Sequence, residues 1–200
     1  MPKTVVAVGG GQAAGKTTVC GYVVAKLADW GISDVATVHL ADYYTAGADP
    51  EAPECFDFAA AAAAVTASPA AAVLVEGTYA LWAPQLRDLT TFSVYVDADA
   101  DTRLGRLVTR DSAVRPAAEI LSNYMLYAKP AMEKYVRPCR GDADVILTQT
   151  DDGAGTEVVA GGIYDRLTGN PPARLAPAVL RHNLLETEFD RDNERYYEVA

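Results

Sequence analysis

Cysteine is scarce and badly placed for cross-linking: Cys20, Cys55 and Cys139 are odd in number, widely spaced and free of any C-x-x-C pair. Neither a disulfide framework nor a zinc site is indicated, and reduced thiols are expected. Positive charge is also short. Against 27 acidic residues stand 17 lysines and arginines, giving a formal net charge of −10, and no basic cluster reverses it locally. That balance repels nucleic acid and anionic membrane surfaces and leaves a small or neutral partner, with a homo-oligomer still open. Long apolar runs are missing too, since the alanine-rich stretch from Ala59 to Val75 is broken by Thr66, Ser68 and Pro69 and is unfit to span a bilayer. An apolar strand that begins by Thr4 leaves no room for a signal peptide, so a cytoplasmic chain is expected. No internal repeat and no dividing linker interrupt the 200 residues, which suit one domain with a substantial core.

What is present begins with Gly9 to Thr18, GGGQAAGKTT, directly after the apolar run Thr4-Val5-Val6-Ala7-Val8. Gly10, Gly15, Lys16 and Thr17 fill the fixed positions of G-x-x-x-x-G-K-[ST], with a strand before and a helix-compatible segment after. A loop of this kind wraps a phosphate chain in backbone N–H groups, which requires glycine where a Cβ would block the approach. The candidate phosphate-binding set is Gly10, Gly11, Gln12, Ala13, Ala14, Gly15, Lys16, Thr17 and Thr18. Lys16 adds a full charge, the following helix adds its positive end, and the Thr17 hydroxyl suits Mg²⁺. A dinucleotide fingerprint fails because Ala14 stands where its third glycine belongs.

Along the chain, helical spacing of Val19, Val23, Val24 and Leu27 ends at Gly31, and Val35 to Leu40 reads as a second strand. Residues 45 to 57 form a loop with three Gly or Pro breakers and four acids. Phe58 to Ala67 is predicted helical, Ala71 to Val75 and Phe92 to Val96 are strands, and Asp99 to Thr109 is a helix. Pro116 opens a long helical stretch to about Tyr135, Asp144 to Thr148 is a fifth strand, and a helix from Glu157 to Leu167 is interrupted at Gly161-Gly162. Strands alternating with helices predict an α/β fold: three layers of the P-loop NTPase kind, a five-stranded parallel sheet with helices on both faces. Residues 1–170 form this domain, with an arginine lid over about 103–137, and 171–200 are a C-terminal extension without strong periodicity.

In open parallel sheets the ligand lies beyond the C-terminal strand ends, which gathers the P-loop, Asp42, Glu76 and Asp97 at one edge. Phosphoryl transfer needs a carboxylate for the acceptor proton, Mg²⁺ between phosphates, and positive groups over the moving phosphoryl. Asp42 is the candidate base, or else a loop cap. Glu76, after four apolar residues, is a candidate for holding Mg²⁺ or an ordinary strand-end carboxylate. Asp97 reads as a structural cap and His39 as a strand-end histidine. Arg103, Arg106, Arg110 and Arg115 form either a cationic lid or a solvated helix face, and Tyr43 and Tyr44 either pack over an acceptor or plug the sheet edge.

Taken with GGGQAAGKTT, the segments ADYYTAG, EAPECFDF, VLVEGTYAL, VYVDADADTRLGRLVTRD and NYMLYAKPAMEKYVRPCRGDADVIL resemble the uridine kinase and phosphoribulokinase family of P-loop kinases over roughly residues 3 to 168. The resemblance implies ATP- and Mg²⁺-dependent phosphorylation of a primary hydroxyl, most often a nucleoside 5′-hydroxyl. It also implies lid roles for Arg106, Arg110 and Arg115, a polar position near the nucleotide for Asn123, and a grip on acceptor hydroxyls for Glu51. Three departures accompany it. Ala41 stands where the family carries its catalytic aspartate, with Asp42 one residue late. Only eighteen residues separate Asp57 from Glu76, so the hairpin that encloses a nucleoside base is missing, as in shorter relatives acting on nicotinamide riboside or other small alcohols. Leu107 replaces the second of a pair of lid arginines. Ala41 and Leu107 favour a second reading, a nucleotide-binding switch or degenerate kinase with little transfer activity.

Overall fold

The computed structural model describes residues 3–45, 47, 49–148 and 153–169. Five parallel strands stand in the order β2-β3-β1-β4-β5: β1 (Thr4–Gly9), β2 (Val35–His39), β3 (Ala72–Glu76), β4 (Phe92–Val96) and β5 (Val145–Leu147). β1 is central and all six of its residues are buried, as expected of a strand covered on both faces. Its side chains alternate between two cores. Val5 and Ala7 pack with α2 (Phe58–Ala67), through Phe58, Ala61 and Val65, and with Leu86 of the short α3 (Pro84–Arg87). Val6 and Val8 pack on the other face with Cys20, Val23 and Leu27 of α1 (Lys16–Asp29).

The remaining helices are α4 (Ala100–Asp111), α5 (Ala117–Asn123), α6 (Lys129–Ala131) and α7 (Ala154–Thr168). α5 and α6 belong to one long stretch, joined and extended by π-helical turns at Tyr124–Ala128 and Met132–Val136. A third, smaller core of Leu107, Ile120, Tyr124 and Ala128 ties α4 to this stretch and reaches the P-loop at Ala13. The apolar Leu107 is therefore a tie between α4 and this stretch.

Sequence reading placed α2 correctly, and the reason is visible: the Asp57 carboxylate caps it by accepting from the Ala60 N–H at 2.8 Å. It erred on α7, which runs unbroken through Gly161-Gly162 because buried Val159, Ala160 and Ile163 on either side anchor it in the core that also holds Val6 and Val8. A Cβ on Gly162 would stand 3.6 Å from the Phe92 ring, an ordinary contact, so close approach does not demand glycine there. The short α3 was not anticipated, and the extension 171–200 lies outside the described residues.

Candidate functional site

Where β1 ends, the chain turns sharply into the P-loop. Gly10 sits at φ +138° with its missing Cβ 2.4 Å from the Val96 carbonyl oxygen, so no side chain fits there. Gly15, left-handed at φ 104°, then launches α1, whose unpaired N–H groups face a cleft of about 1750 Å³ across the strand ends. Gln12 to Val19 line the cleft, with Gly10 and Gly11 buried behind them. Lys16 is buried at its floor, donating to the Gly11 carbonyl at 2.8 Å. Burial lowers its ammonium to about 8, against the pull of Glu76.

Glu76 ends β3 and joins two elements. Its Oε1 accepts from the Thr17 hydroxyl at 2.9 Å and lies 2.8 Å from Nδ1 of His39, its partner in the β2–β3 register. Hydroxyl and carboxylate oxygens are the hard donors that Mg²⁺ takes, so this pair suits the ion. Among the described residues no cluster of three or more His, Cys, Asp or Glu could hold a metal ion.

The four arginines diverge. Arg106, exposed, reaches the Ala13 and Ala14 carbonyls at 3.4 and 3.3 Å. Arg110 grips Asp111 through Nε at 2.7 Å and Nη2 at 3.2 Å, while Arg115 meets the same carboxylate at 2.5 Å. The Arg110 hydrogen bond holds the Asp111 carboxyl below its usual value. Arg106, Arg110 and Arg115 all line the cleft. Arg103 does not: it is buried against Gly11 and donates to the Ala98 carbonyl at 2.9 Å, which corrects its inclusion in the cationic lid. Asp97, expected as a cap, instead pairs with Arg140 at 2.9 Å.

After β2 the structure separates residues that the sequence grouped. Leu40 to Tyr43 form a 3₁₀ turn, in which positions three apart fall on one side. Leu40 and Tyr43 both pack into the core, Ala41 lines the cleft, and exposed Asp42 does not. The expectation that Asp42 faces the reacting groups is thereby corrected. Tyr44 does line the cleft, edge-to-face with Phe56 at 5.4 Å, whereas Tyr43 plugs the sheet edge.

Glu51 is the point where three segments meet. Its side chain accepts from the Gln12 amide of the P-loop and, at 3.3 Å, from the Asn123 amide of α5, while its main-chain carbonyl accepts from the Tyr79 hydroxyl. Burial raises its carboxyl above the usual glutamate value, against the two amide hydrogen bonds. Below it, Phe56, Phe58, Tyr79, Trp82 and Tyr135 form a chain of ring contacts that fixes the loop.

Sequence reasoning missed the His39–Glu76 contact, the Tyr79 support and the Asp111 clamp. Only the clamp left a readable signal, an acid beside Arg110 and four residues before Arg115.

A phosphate-cradling loop, a hydroxyl and carboxylate beside it and an arginine-bearing helix over one cleft define a P-loop protein of kinase type. The chain belongs to the phosphoribulokinase / uridine kinase family, whose model matches residues 44–154. Members of that family are ATP-dependent small-molecule kinases. Uridine-cytidine kinase 2-B of Danio rerio is 35% identical over 108 residues, 52% of this chain and 41% of that protein. Uridine kinase-like protein 3 of Arabidopsis thaliana is 25% identical over 215 residues, 86% of this chain and 45% of that protein. The chain thus spans about half the length of these curated relatives. Among solved structures, a provisionally assigned fructose transport system kinase from Silicibacter aligns with a TM-score of 0.57 at 18% identity, over 73% of this chain and 90% of that one. Shikimate kinase from Acinetobacter baumannii aligns with a TM-score of 0.50 at 17% identity, over 87% and 96%. Both likenesses concern the fold. Among the described residues no helix is long and apolar enough to cross a membrane.

Proposed function

We propose that the protein transfers the γ-phosphoryl group of ATP to a primary hydroxyl of a small nucleoside-like or polyol acceptor. The observation that carries this reading is the convergence of Lys16, Thr17 and Glu76 with Glu51, Arg110, Arg115 and Asn123 on a single cleft. The loop amides, Lys16 and the N-terminus of α1 hold the phosphates. Thr17 and Glu76 would hold Mg²⁺, which neutralises charge on the phosphate oxygens when bound. Glu51 and Tyr44 receive the acceptor. Arg106, Arg110 and Arg115 close over the transfer, the last two exchanging Asp111 for phosphate oxygens.

Ala41 on the cleft wall supports a second reading, a nucleotide-binding switch, because the family aspartate is missing there. One experiment separates the two. ADP release is coupled to a spectrophotometric readout with uridine, cytidine, nicotinamide riboside, pantothenate and ribitol as acceptors. Acceptor-stimulated release supports the kinase; tight ATP binding without it leaves the switch.

A further inference from the structure

We infer that Glu51 is the proton acceptor of the transfer, taking the place that Ala41 cannot fill. This rests on the kinase reading above and assigns its missing catalytic residue. Four acidic residues line the cleft among those described: Asp29, Glu51, Glu76 and Glu157. Asp29 lies thirteen residues along α1 from Lys16, roughly 20 Å at the helical rise, too far from the phosphates to act. Glu157 is at the same remote end, paired with Lys26. Glu76 is engaged by Thr17 and His39 at the Mg²⁺ side. Glu51 remains, and the Gln12 amide that grips it belongs to the phosphate loop itself.

Its surroundings suit the task. A carboxylate offers about four lone-pair sites, and the amides of Gln12 and Asn123 occupy one on each oxygen, fixing the group while leaving room for a hydroxyl. The charged and titratable groups around it are Asp49, Tyr44 and Tyr79 from the loop side and Arg110 and Arg115 from the lid. Burial dominates among them and moves the carboxyl upward, towards the range where a base works at neutral pH.

In the step itself the acceptor O–H bond breaks and its proton passes to a Glu51 oxygen. The freed oxygen pair forms the bond to the γ-phosphorus, and the bond from that phosphorus to the β-bridging oxygen breaks, leaving its electron pair on ADP. Glu51 then returns the proton to solvent.

The test measures kcat, KM and their pH dependence for Glu51→Gln, Glu51→Asp and Asp42→Asn, using whichever of the five acceptors gives the highest wild-type turnover. Expected for Glu51→Gln are a fall in kcat of about 10²-fold or more, acceptor KM and ADP affinity within about threefold, and loss of the acid limb of the rate profile. Glu51→Asp should keep an acid limb but displace it to lower pH, at reduced rate. In the free wild-type protein, a ¹³C carboxyl titration should place Glu51 above the ordinary glutamate range. The proposal is overturned if Glu51→Gln acts mainly on KM, which would leave Glu51 a hydroxyl ligand, or if Asp42→Asn costs as much kcat. Should Glu51→Gln fail to bind ADP, the Glu51→Asp profile decides, and an unmoved acid limb rejects the proposal. Absence of turnover by the wild type on all five compounds rejects the kinase reading together with it, whereas an active wild type with an unimpaired Glu51→Gln rejects the base alone.

Discussion

At the donor end of the cleft the contacts come from the backbone: a glycine at φ +138° pressed on the Val96 carbonyl, a left-handed Gly15, and the free N–H groups that open α1. At the acceptor end they come from side chains, with Glu51 bridging Gln12 and Asn123 and Tyr44 leaning on Phe56 above a stack of rings. Backbone contacts bind what every nucleoside triphosphate shares, and they tolerate almost no substitution. Side-chain contacts can be exchanged singly, so this end tolerates substitution more readily than the P-loop end. Ala41 on the cleft wall and the Glu51 bridge both belong to this second end.

The contrast can be broken experimentally at both ends. Lys16→Ala should lower turnover about 10³-fold with every acceptor alike, since it removes charge stabilisation at the phosphates. A loss confined to one acceptor, read in the ADP-release assay, would erase the distinction between the ends. A smaller effect follows from the lowered Lys16 ammonium. Both free fold and unfolded chain carry its proton below about 8, and above that the fold loses it while the unfolded chain keeps it to 10.5. ADP affinity should therefore weaken about tenfold from pH 7 to pH 9, while stability of the free fold rises as pH climbs from about 8 towards 10.5. Calorimetric titration and thermal melts check both, and Lys16→Met should flatten each. The smallest effect belongs to Asp42→Asn, which should leave kcat within about twofold because this carboxylate stands off the cleft. A loss near 10²-fold would return the base to the 3₁₀ turn.

How much of this was legible follows the same division. The P-loop, the five strands and most helices were readable because glycine placement, apolar alternation and Pro or Gly stops act within a few residues of themselves. Asp42 was misplaced because a 3₁₀ turn, with three residues per turn, sends neighbours to different sides, and only the packing of Leu40 and Tyr43 reveals which. Arg103 looked like its lid neighbours by spacing, yet its burial depends on how α4 lies against Gly11. The meeting of His39 with Glu76 depends on β2 pairing with β3 across 37 positions of chain, which no local pattern encodes. For Glu51, family resemblance indicated the position but not the convergence of P-loop, lid and ring stack upon it.

The clamp of Arg110 and Arg115 on Asp111 has a bearing on how nucleotide arrives. Two of the cations that face the cleft share one carboxylate, which leaves the trio a single net positive charge, in a chain whose formal charge is −10. A nucleotide carrying about four negative charges would then meet less positive charge on first contact than after Asp111 is displaced, with the acidic chain opposing any long-range attraction. Encounter should consequently be steered only weakly, and added salt should change the association rate less than it does for an electrostatically steered pair.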